Sequence, residues 1–385
     1  MEDRISSLPD EVLHLILSCL NTKLAIQTCV LSKRWRYLWT GISTLHLSSS
    51  CSDEDSFSDF LDHVFLSRDH SKTIRHFKIS FHMDHDYTSK LVLDFLVTHG
   101  RDIQDLLISS HLDETYWHCC DLQQPYWNLF RTWDSLKTLS LQFVSIPVNV
   151  EYEFVSLNSL HLSRCQLADD KYRLRLRWEP RLVGNVKITA PRLKEFVMAY
   201  TCVEDEVDPH FEIILSFPKL LSLSFEQNEP MRVAFPYRPV LQELFVDYYI
   251  INYTRDYHYL INLFGGIGVA KCVTLSEETS IALSEVPEDA KGKQPPFGGI
   301  EELKIIFERT KSEMDNNFSF TVPNSVLTYL QSRSITLVYK ERRQESEIPK
   351  KSKNDASASP LLLSVSLRLS HSLSQSSPSR LTPSR

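Results

Sequence analysis

The sequence predicts an α/β protein in which a short helical module precedes a long array of parallel strands. The first forty residues are crowded with apolar side chains at helical spacing. A short apolar motif then recurs through most of the chain, which is the signature of a repeat architecture. The last forty residues are rich in Ser, Pro and Lys and cannot bury enough apolar surface to fold.

The helical module is too apolar for its size. Proline at position 9 suits the first turn of a helix, and Ser32 is a suitable N-cap for a last one. Apolar spacing predicts three short helices, at about 9–20, 23–31 and 33–40. They are apolar on more than one side, and so few residues cannot bury that surface among themselves. Part of it is therefore expected to be buried against another protein.

This segment resembles an F-box, the module by which a substrate receptor docks onto the Skp-type adaptor of a cullin–RING ubiquitin ligase (SCF). The resemblance covers 3–47 and is carried by L-P-x-E-V-L at 8–13 and V-L-S-K-R-W-R-Y-L-W at 30–39. The second run is similar to plant F-box proteins with leucine-rich repeats. The alternative is a helical cap on a repeat domain. The resemblance implies adaptor contacts from Leu8, Pro9, Leu13, Ile16, Leu17, Leu20, Val30, Leu31, Trp35 and Leu38. Some of these must instead pack the helices together, and the sequence does not divide the two sets.

The repeated motif is apolar-x-x-apolar-x-apolar, with copies starting 21 to 36 residues apart. Its last two apolar residues alternate with a polar one, so each copy predicts a short strand with one buried face. The copies are Ile42/Leu45/Leu47, Ile74/Phe77/Ile79, Ile103/Leu106/Ile108, Leu136/Leu139/Leu141, Leu157/Leu160/Leu162, Leu193/Phe196/Met198, Leu220/Leu223/Phe225, Leu241/Leu244/Val246, Ala270/Val273/Leu275 and Ile300/Leu303/Ile305. Two segments, 58–68 and 88–99, carry helix-spaced apolar residues and are expected to form the returning legs of early repeats.

These features predict three domains. An F-box occupies 1–47, an irregular leucine-rich-repeat solenoid occupies 42–343, and a disordered, dispensable tail occupies 344–385. The irregular spacing resembles that of plant F-box proteins with leucine-rich repeats, although the FBD module that many of them carry is not recognised. A strand is expected at 334–339, at the end of the array.

Composition excludes several classes of protein. The net charge of −7 and the pI near 6 argue against a general nucleic-acid binder. Eight scattered cysteines without a CxxC pair predict reduced thiols, and no apolar stretch is typical of a secretory signal or a membrane span. The chain is therefore predicted to be cytoplasmic and/or nuclear. Only 9 glycines occur, which argues against glycine-rich phosphate loops.

No motif predicts catalysis, a cofactor or a metal site. A glycine-rich stretch lacks the buried strand that a dinucleotide site needs, and two histidine clusters lack four well-spaced ligands. An arginine-bearing strand could grip an acidic peptide or a phosphate group, or simply be a solvated face. An enzymatic site in the loop 111–120 is a remaining alternative. The motifs are Gly265-Gly266-Ile267-Gly268, His82-x-x-His85 with Asp84 and Asp86, His111 with His118-Cys119-Cys120, and Arg173-x-Arg175-x-Arg177.

The sequence thus favours a non-catalytic substrate-recognition subunit of an SCF-type ligase. Its partners would be a Skp-type adaptor, through it the cullin and RING subunits, and an unknown target protein. Target binding is expected on the strand residues between the buried positions, at Gln142, His161, Glu226, Phe245 and Asp247. The alternative is a repeat scaffold whose F-box-like cap never enters a ligase.

Overall fold

The computed structural model divides into two compact units, 1–220 and 221–385, which are described separately. The residues it describes are 5, 7–49, 54–82, 86–111, 120–121, 129–130, 132–168, 185–203, 211–229, 231–249, 253–291, 296, 299–309, 322–331, 334–341 and 363–368. The histidine cluster around 83–85, the loop 112–119 and the arginine strand 173–177 lie outside these residues.

The N-terminal module combines two α-helices with two 3-10 helical segments. Asn21 caps the second helix by accepting a 2.8 Å hydrogen bond from the Leu24 amide. The last predicted helix is a 3-10 helix, whose period of about three residues places Trp35 and Leu38 on one buried face. The elements are α1 (Asp10–Ser18), α2 (Thr22–Gln27) and the 3-10 segments Thr28–Val30 and Trp35–Gly41. The three α-helices expected from the sequence are therefore observed as two α-helices plus 3-10 turns.

The rest of the first unit that the structure describes consists mainly of strands. Its elements are β1 (Thr44–Ser48), α3 (Glu54–Ser67), β2 (His76–His82), α4 (Asp86–His99), a 3-10 segment (Gly100–Asp102), β3 (Asp105–His111), β4 (Cys120–Asp121), β5 (Thr138–Gln142), β6 (Val144–Pro147), β7 (Glu151–Glu153), β8 (Ser159–Ser163), β9 (Gln166–Ala168), β10 (Asn185–Thr189), β11 (Glu195–Ala199), β12 (Cys202–Val203) and β13 (Glu212–Ser216). Helices α3 and α4 correspond to the two predicted returning legs.

The main sheet of this unit runs in the order β1-β2-β3-β5-β8-β11, and its strands are parallel. Each strand contains the last two apolar residues of one copy of the repeated motif, and the register aligns these residues across the sheet. One buried row is Leu45, Phe77, Leu106, Leu139, Leu160 and Phe196. Shorter parallel strands pair in the orders β4-β6-β9-β12 and β7-β10-β13. The structure confirms one buried strand for each predicted copy in this unit.

The second unit repeats the strand–helix alternation. Its elements are β14 (Ser222–Gln227), β15 (Val233–Ala234), β16 (Val240–Tyr248), α5 (Tyr253–Gly266), β17 (Val269–Ser276), α6 (Glu277–Glu285), α7 (Glu288–Lys291), β18 (Glu302–Arg309), α8 (Asn324–Leu330), β19 (Ser334–Glu341) and β20 (Leu363–Arg368). Strands β14, β16, β17, β18 and β19 form a parallel sheet in that order. Helix α6 packs against β16, β17 and β18.

Strand β20 lies within the segment predicted to be a disordered tail. It pairs antiparallel with β19, from Ser334 opposite Arg368 to Tyr339 opposite Leu363. The other residues of 344–385 lie outside the described part of the chain. The domain boundaries at 47 and 343 and the dispensability of the tail therefore stay predictions.

Two hydrogen bonds join the F-box segment to the first strand and helix of the sheet. The buried Thr22 hydroxyl accepts a 2.8 Å bond from the His46 amide on β1. Arg68, at the end of α3, donates a 2.6 Å bond from Nη2 to the carbonyl of Ile42. Burial lowers the pKa of Arg68 to about 10, so its guanidinium is still charged at neutral pH. The helical module and the sheet are thus anchored through buried polar contacts.

Three successive strands of the first unit end in a non-glycine residue with positive φ. Phe143, Arg164 and Tyr200 follow β5, β8 and β11 with φ of 54°, 50° and 49°. The Arg164 guanidinium lies 5.4 Å from the Phe143 ring centre and 6.0 Å from that of Tyr200. Next to this turn, buried Cys165 donates from Sγ to the Leu141 carbonyl at 3.5 Å. Burial raises the pKa of this thiol to about 12, so Cys165 serves the turn as an unreactive thiol.

Gly100 provides a test of the packing in the first unit. A Cβ at this position would lie 2.2 Å from Cζ2 of buried Trp133, so Gly100→Ala must displace the indole. Overpacking of this kind costs roughly 1–3 kcal/mol, and we expect that loss in urea denaturation. Gly265→Ala is the matched control, because Gly265 is exposed in α5 and a Cβ there would have no neighbouring atom within 4 Å. The control should gain about 0.5–1 kcal/mol of helix stability. Equal effects of the two changes would contradict the packing described.

Protonation of His99 should weaken the first unit in acid. Its ring stacks on His70 at 4.7 Å, and burial, with His70 and Arg68 nearby, lowers the pKa of His99. An unperturbed histidine has a pKa of about 6.5, so below that pH the unfolded chain binds more protons than the folded chain does. Stability should be full above that pH and decline as the pH falls towards the folded-state pKa. Urea denaturation between neutral and acidic pH should show a shallower decline for His99→Phe. Leu66→Ala, at an exposed site on α3, removes no titratable group and should keep the original pH dependence.

Candidate partner-binding surfaces

The ten residues predicted to contact an adaptor divide into interior and surface positions. Leu13 and Leu17 are 0% exposed, Trp35 is 4% exposed and Leu38 is 7% exposed, so these four form the core of the F-box segment. Six of the ten are accessible: Pro9, Ile16, Val30 and Leu31 are exposed, and Leu8 and Leu20 are half-buried. Val30 is 83% exposed and Leu31 is 64% exposed.

The structure adds five exposed apolar residues that the sequence reasoning missed. Helical periodicity carried a signal for some of them. In α1, Val12 and Leu15 share a face with Ile16, whereas Leu13 and Leu17 lie four residues apart on the buried face. The missed residues are Ile5, Val12, Leu15, Leu24 and Tyr37. Together with the six accessible predicted residues they form what we call the F-box surface.

Arg34 fixes the start of this surface. Its Nη2 donates to both the Leu8 carbonyl and Oδ1 of Asp10. The side chains of Arg34 and Asp10 are 36% and 57% exposed, so the pair contributes little stability and mainly sets position. The Leu8 carbonyl and the first residue of α1 are thereby tied to Arg34, just before the 3-10 segment Trp35–Gly41.

The strands of the first unit also present a half-exposed face, opposite the buried one. Its middle row crosses six strands in register: His46, Lys78, Leu107, Ser140, His161 and Val197. A depression of about 320 Å³ lies on this face over the first four strands of the sheet. His76 contacts Asp105 there, with Nδ1 2.7 Å from Oδ2. Burial, together with Lys78, lowers the pKa of His46, which favours its neutral form.

Two of the predicted target-binding residues, Gln142 and His161, lie on this face on neighbouring strands. Gln142 accepts a 2.9 Å hydrogen bond at Oε1 from the Ser109 hydroxyl. His161 Nε2 lies 2.9 Å from Ser159 Oγ and 3.4 Å from Glu195 Oε2. One ring nitrogen thus contacts both the hydroxyl and the carboxylate, whereas a nucleophile triad places them on opposite nitrogens. The geometry of this polar cluster therefore does not match serine catalysis.

The other three predicted target-binding residues lie on the half-exposed face of the second unit. Glu226 and Asp247 face each other across β14 and β16, and Phe245 is opposite Ser224 on the same pair of strands. Phe245 is half-buried, two residues before Asp247 on the same side of β16. Cys272 lies in the row of Glu243 on the neighbouring strand β17, and burial raises the pKa of its thiol. The structure places these three together within one unit.

Within the described part of the chain, the structure bears on a metal site, a dinucleotide site at the glycine stretch and a membrane-spanning helix. No group of three or more His, Cys, Asp or Glu side chains there could hold a metal ion. The glycine stretch ends α5, and Gly268 donates a 3.0 Å backbone hydrogen bond to Pro239 before β17 begins. It therefore forms the turn between helix α5 and strand β17. No described helix is both long and apolar enough to cross a membrane.

The division of α1 into a buried and an exposed face can be tested with two substitutions. Leu17→Ala removes a fully buried side chain and should cost about 2–5 kcal/mol of unfolding free energy. Leu15→Ala, at 69% exposure, should change it by less than about 0.5 kcal/mol. Chemical denaturation followed by circular dichroism measures both. Similar losses for the two variants would show that the helix is rotated from the orientation described.

Comparison with known proteins bears on the same segment. The F-box domain family matches residues 5–47. F-box/LRR-repeat protein 25 of Arabidopsis thaliana is 33% identical over 175 residues, which cover 44% of this chain and 61% of that protein. F-box/LRR-repeat protein At5g02910 of the same plant is 31% identical over 44% of this chain and 35% of its own length.

A third relative, F-box/FBD/LRR-repeat protein At2g26030 of Arabidopsis thaliana, is 29% identical over 61% of this chain and 48% of its own length. The chain thus spans between about a third and three fifths of the length of these relatives. No solved structure matches the chain. The chain therefore has an F-box domain at its N-terminus and F-box/LRR-repeat proteins of Arabidopsis thaliana among its homologues.

Proposed function

We propose that this protein is the substrate-recognition subunit of an SCF-type E3 ubiquitin ligase, docking through its F-box and holding a target on its sheet faces. The observation that carries the proposal is the F-box surface. Within a segment of 43 matched residues, apolar side chains remain up to 83% exposed while a separate set fills the interior. So many exposed large apolar side chains in one short segment are typical of a protein-binding site.

The F-box surface has the composition of an interface core. It is largely aliphatic, with Tyr37 and Pro9 among its members, and Arg34 orders the Leu8–Pro9 segment before any partner arrives. Preorganisation of that kind lowers the entropic cost of association. We propose that a Skp-type adaptor covers this surface and that cullin and RING subunits join through the adaptor. The buried residues Leu13, Leu17, Trp35 and Leu38 would act indirectly, by holding the module in shape.

The role of the strand-rich region would be positional. Aligned copies of the repeated motif and parallel pairing support a leucine-rich-repeat solenoid. We propose that its half-exposed faces bind the target, using Gln142 and His161 in the first unit and Glu226, Phe245 and Asp247 in the second. A target bound there would be held near the ubiquitin-charged enzyme, which raises the effective concentration of its lysines. The chain itself would carry out no chemical step.

Adaptor docking can be tested by changing two exposed residues. Val30→Glu with Leu31→Glu should reduce affinity for a purified Skp-type adaptor by at least about tenfold, because each apolar anchor at an interface centre contributes on the order of 2 kcal/mol. Isothermal titration calorimetry with the full chain measures the affinity. Both side chains are exposed, so the folded state should keep its melting temperature.

Leu66→Glu is the matched control. Leu66 is 80% exposed on α3, outside the F-box surface, and its substitution should leave adaptor affinity unchanged. If the native chain binds the adaptor and the double variant binds equally well, the docking surface lies elsewhere. If the native chain binds no Skp-type adaptor, the protein is better described as a repeat scaffold with an F-box-like cap.

A further inference from the structure

The half-exposed face of the second unit has a charge pattern that suggests the chemistry of its partner. Along β14, β16, β17 and β18 the buried residues alternate with residues that point to the opposite side. Helix α6 packs on the buried side, where Thr279 Oγ1 contacts the Val246 carbonyl at 3.3 Å. The opposite side is accessible. We define the acidic face as Glu226, Glu243, Phe245, Asp247, Cys272, Thr274, Glu302 and Lys304.

Negative charge predominates on the acidic face. Its one cation among the described residues, Lys304, lies 3.1 Å from Oε2 of Glu302. Burial of Glu302 would raise its pKa, but hydrogen bonds from Lys304 and Thr336 together lower it, so this carboxyl is ionised at neutral pH. The lysine charge is thus balanced by its neighbour. Glu226, Glu243 and Asp247 give the remainder of the face its net negative charge.

Three of these residues follow one another on a single strand. Glu243, Phe245 and Asp247 occupy alternate positions of β16, so their side chains project from the same side. Successive side chains on one side of a strand are about 6.6 Å apart. Glu226 lies opposite Asp247 on β14 and strengthens one end of the row. The half-buried ring of Phe245 therefore has carboxylates on both sides along the strand.

An extended peptide has the same spacing between alternate side chains. A segment lying along β16 would face it with three side chains, of which the outer two meet carboxylates and the middle one meets Phe245. We propose that the acidic face binds an extended target segment of the form cation-x-apolar-x-cation, in which Lys or Arg pairs with Glu243 and Asp247 and an apolar side chain packs on Phe245. Complementary charge supplies orientation and specificity, and the aromatic ring supplies an apolar anchor. This inference rests on the proposed function, since it names the class of target.

A defined peptide tests the inference on the full-length chain. The probe is a fluorescein-labelled peptide with Lys-Ser-Leu-Ser-Arg at its centre and Gly-Ser flanks. Fluorescence anisotropy should show saturable binding that weakens as the salt concentration rises, because ion pairs at a surface are screened. A peptide with Glu in place of Lys and Arg should not bind, and one with Ser in place of Leu should bind about tenfold more weakly.

Three variants of the protein locate the binding site. Glu243→Lys with Asp247→Lys should weaken peptide binding by at least about tenfold, and Phe245→Ala by about tenfold. Glu285→Lys with Asp289→Lys is the matched control, because it makes the same change of charge at exposed positions in α6 and α7. The control should bind the peptide within about twofold of the native chain, apart from a small nonspecific charge effect.

Absence of binding, equal binding of the glutamate peptide, or equal losses in the face and control variants would each overturn the inference. Adaptor affinity is measured in parallel on the same protein samples. A chain that binds the adaptor but fails these peptide tests would leave the proposed function standing and remove only the target class. A chain that binds no adaptor would remove the proposed function itself.

Discussion

The first sheet depends on how its outermost strand is closed. An edge strand exposes unpaired amides and carbonyls, which invite pairing with other chains. On β1 the His46 amide donates a hydrogen bond to the hydroxyl of buried Thr22. Just before the strand, the Ile42 carbonyl accepts a hydrogen bond from Arg68. The row of buried side chains that begins at Leu45 then fixes the register of each following strand in the unit. The helical module is therefore the closing layer of the sheet as well as a surface in its own right.

This arrangement explains why the F-box segment can leave so much apolar surface exposed. Its interior is filled by a few large side chains, among them Leu17 and Trp35, and its other side is fixed through Thr22. The segment does not need its exposed residues for internal packing. They are available for a partner, which is the physical basis of the docking proposed above.

The strands were predictable from the sequence because their signal is local. Each copy of the motif has two apolar residues flanking a polar one, and burial follows that alternation, as Leu139 and Leu141 illustrate on β5. Strand β6, one of the shorter parallel strands, carried no such signal. Strand β6 is buried along its whole length, so its residues Val144–Pro147 show no alternation. Their pairing comes from contacts distant in sequence.

The candidate sites divide in the same way. Alternation along each strand predicts which residues lie on the half-exposed face. Glu226, Phe245 and Asp247 could therefore be assigned to that face from the sequence. Glu243 and Glu302 were missed, because the charge of a face depends on several strands at once. In the F-box segment, helical phase separates Leu15 from Leu17, but the 3-10 geometry around Trp35 has no comparable pattern in the sequence.

The positive-φ turns have a consequence for how this sequence could change over generations or in the laboratory. A bulky residue in that conformation costs roughly 1–2 kcal/mol relative to glycine, and Phe143, Arg164 and Tyr200 each adopt it. Their amides help to hold the turns, as when Arg164 donates a 2.7 Å bond to the Ala199 carbonyl. Part of this cost is offset, because the Arg164 guanidinium lies 5.4 Å from the Phe143 ring centre and 6.0 Å from that of Tyr200. Glycine or asparagine at one of these positions would relieve its backbone strain. The stability gained in that way could offset destabilising substitutions elsewhere in the chain.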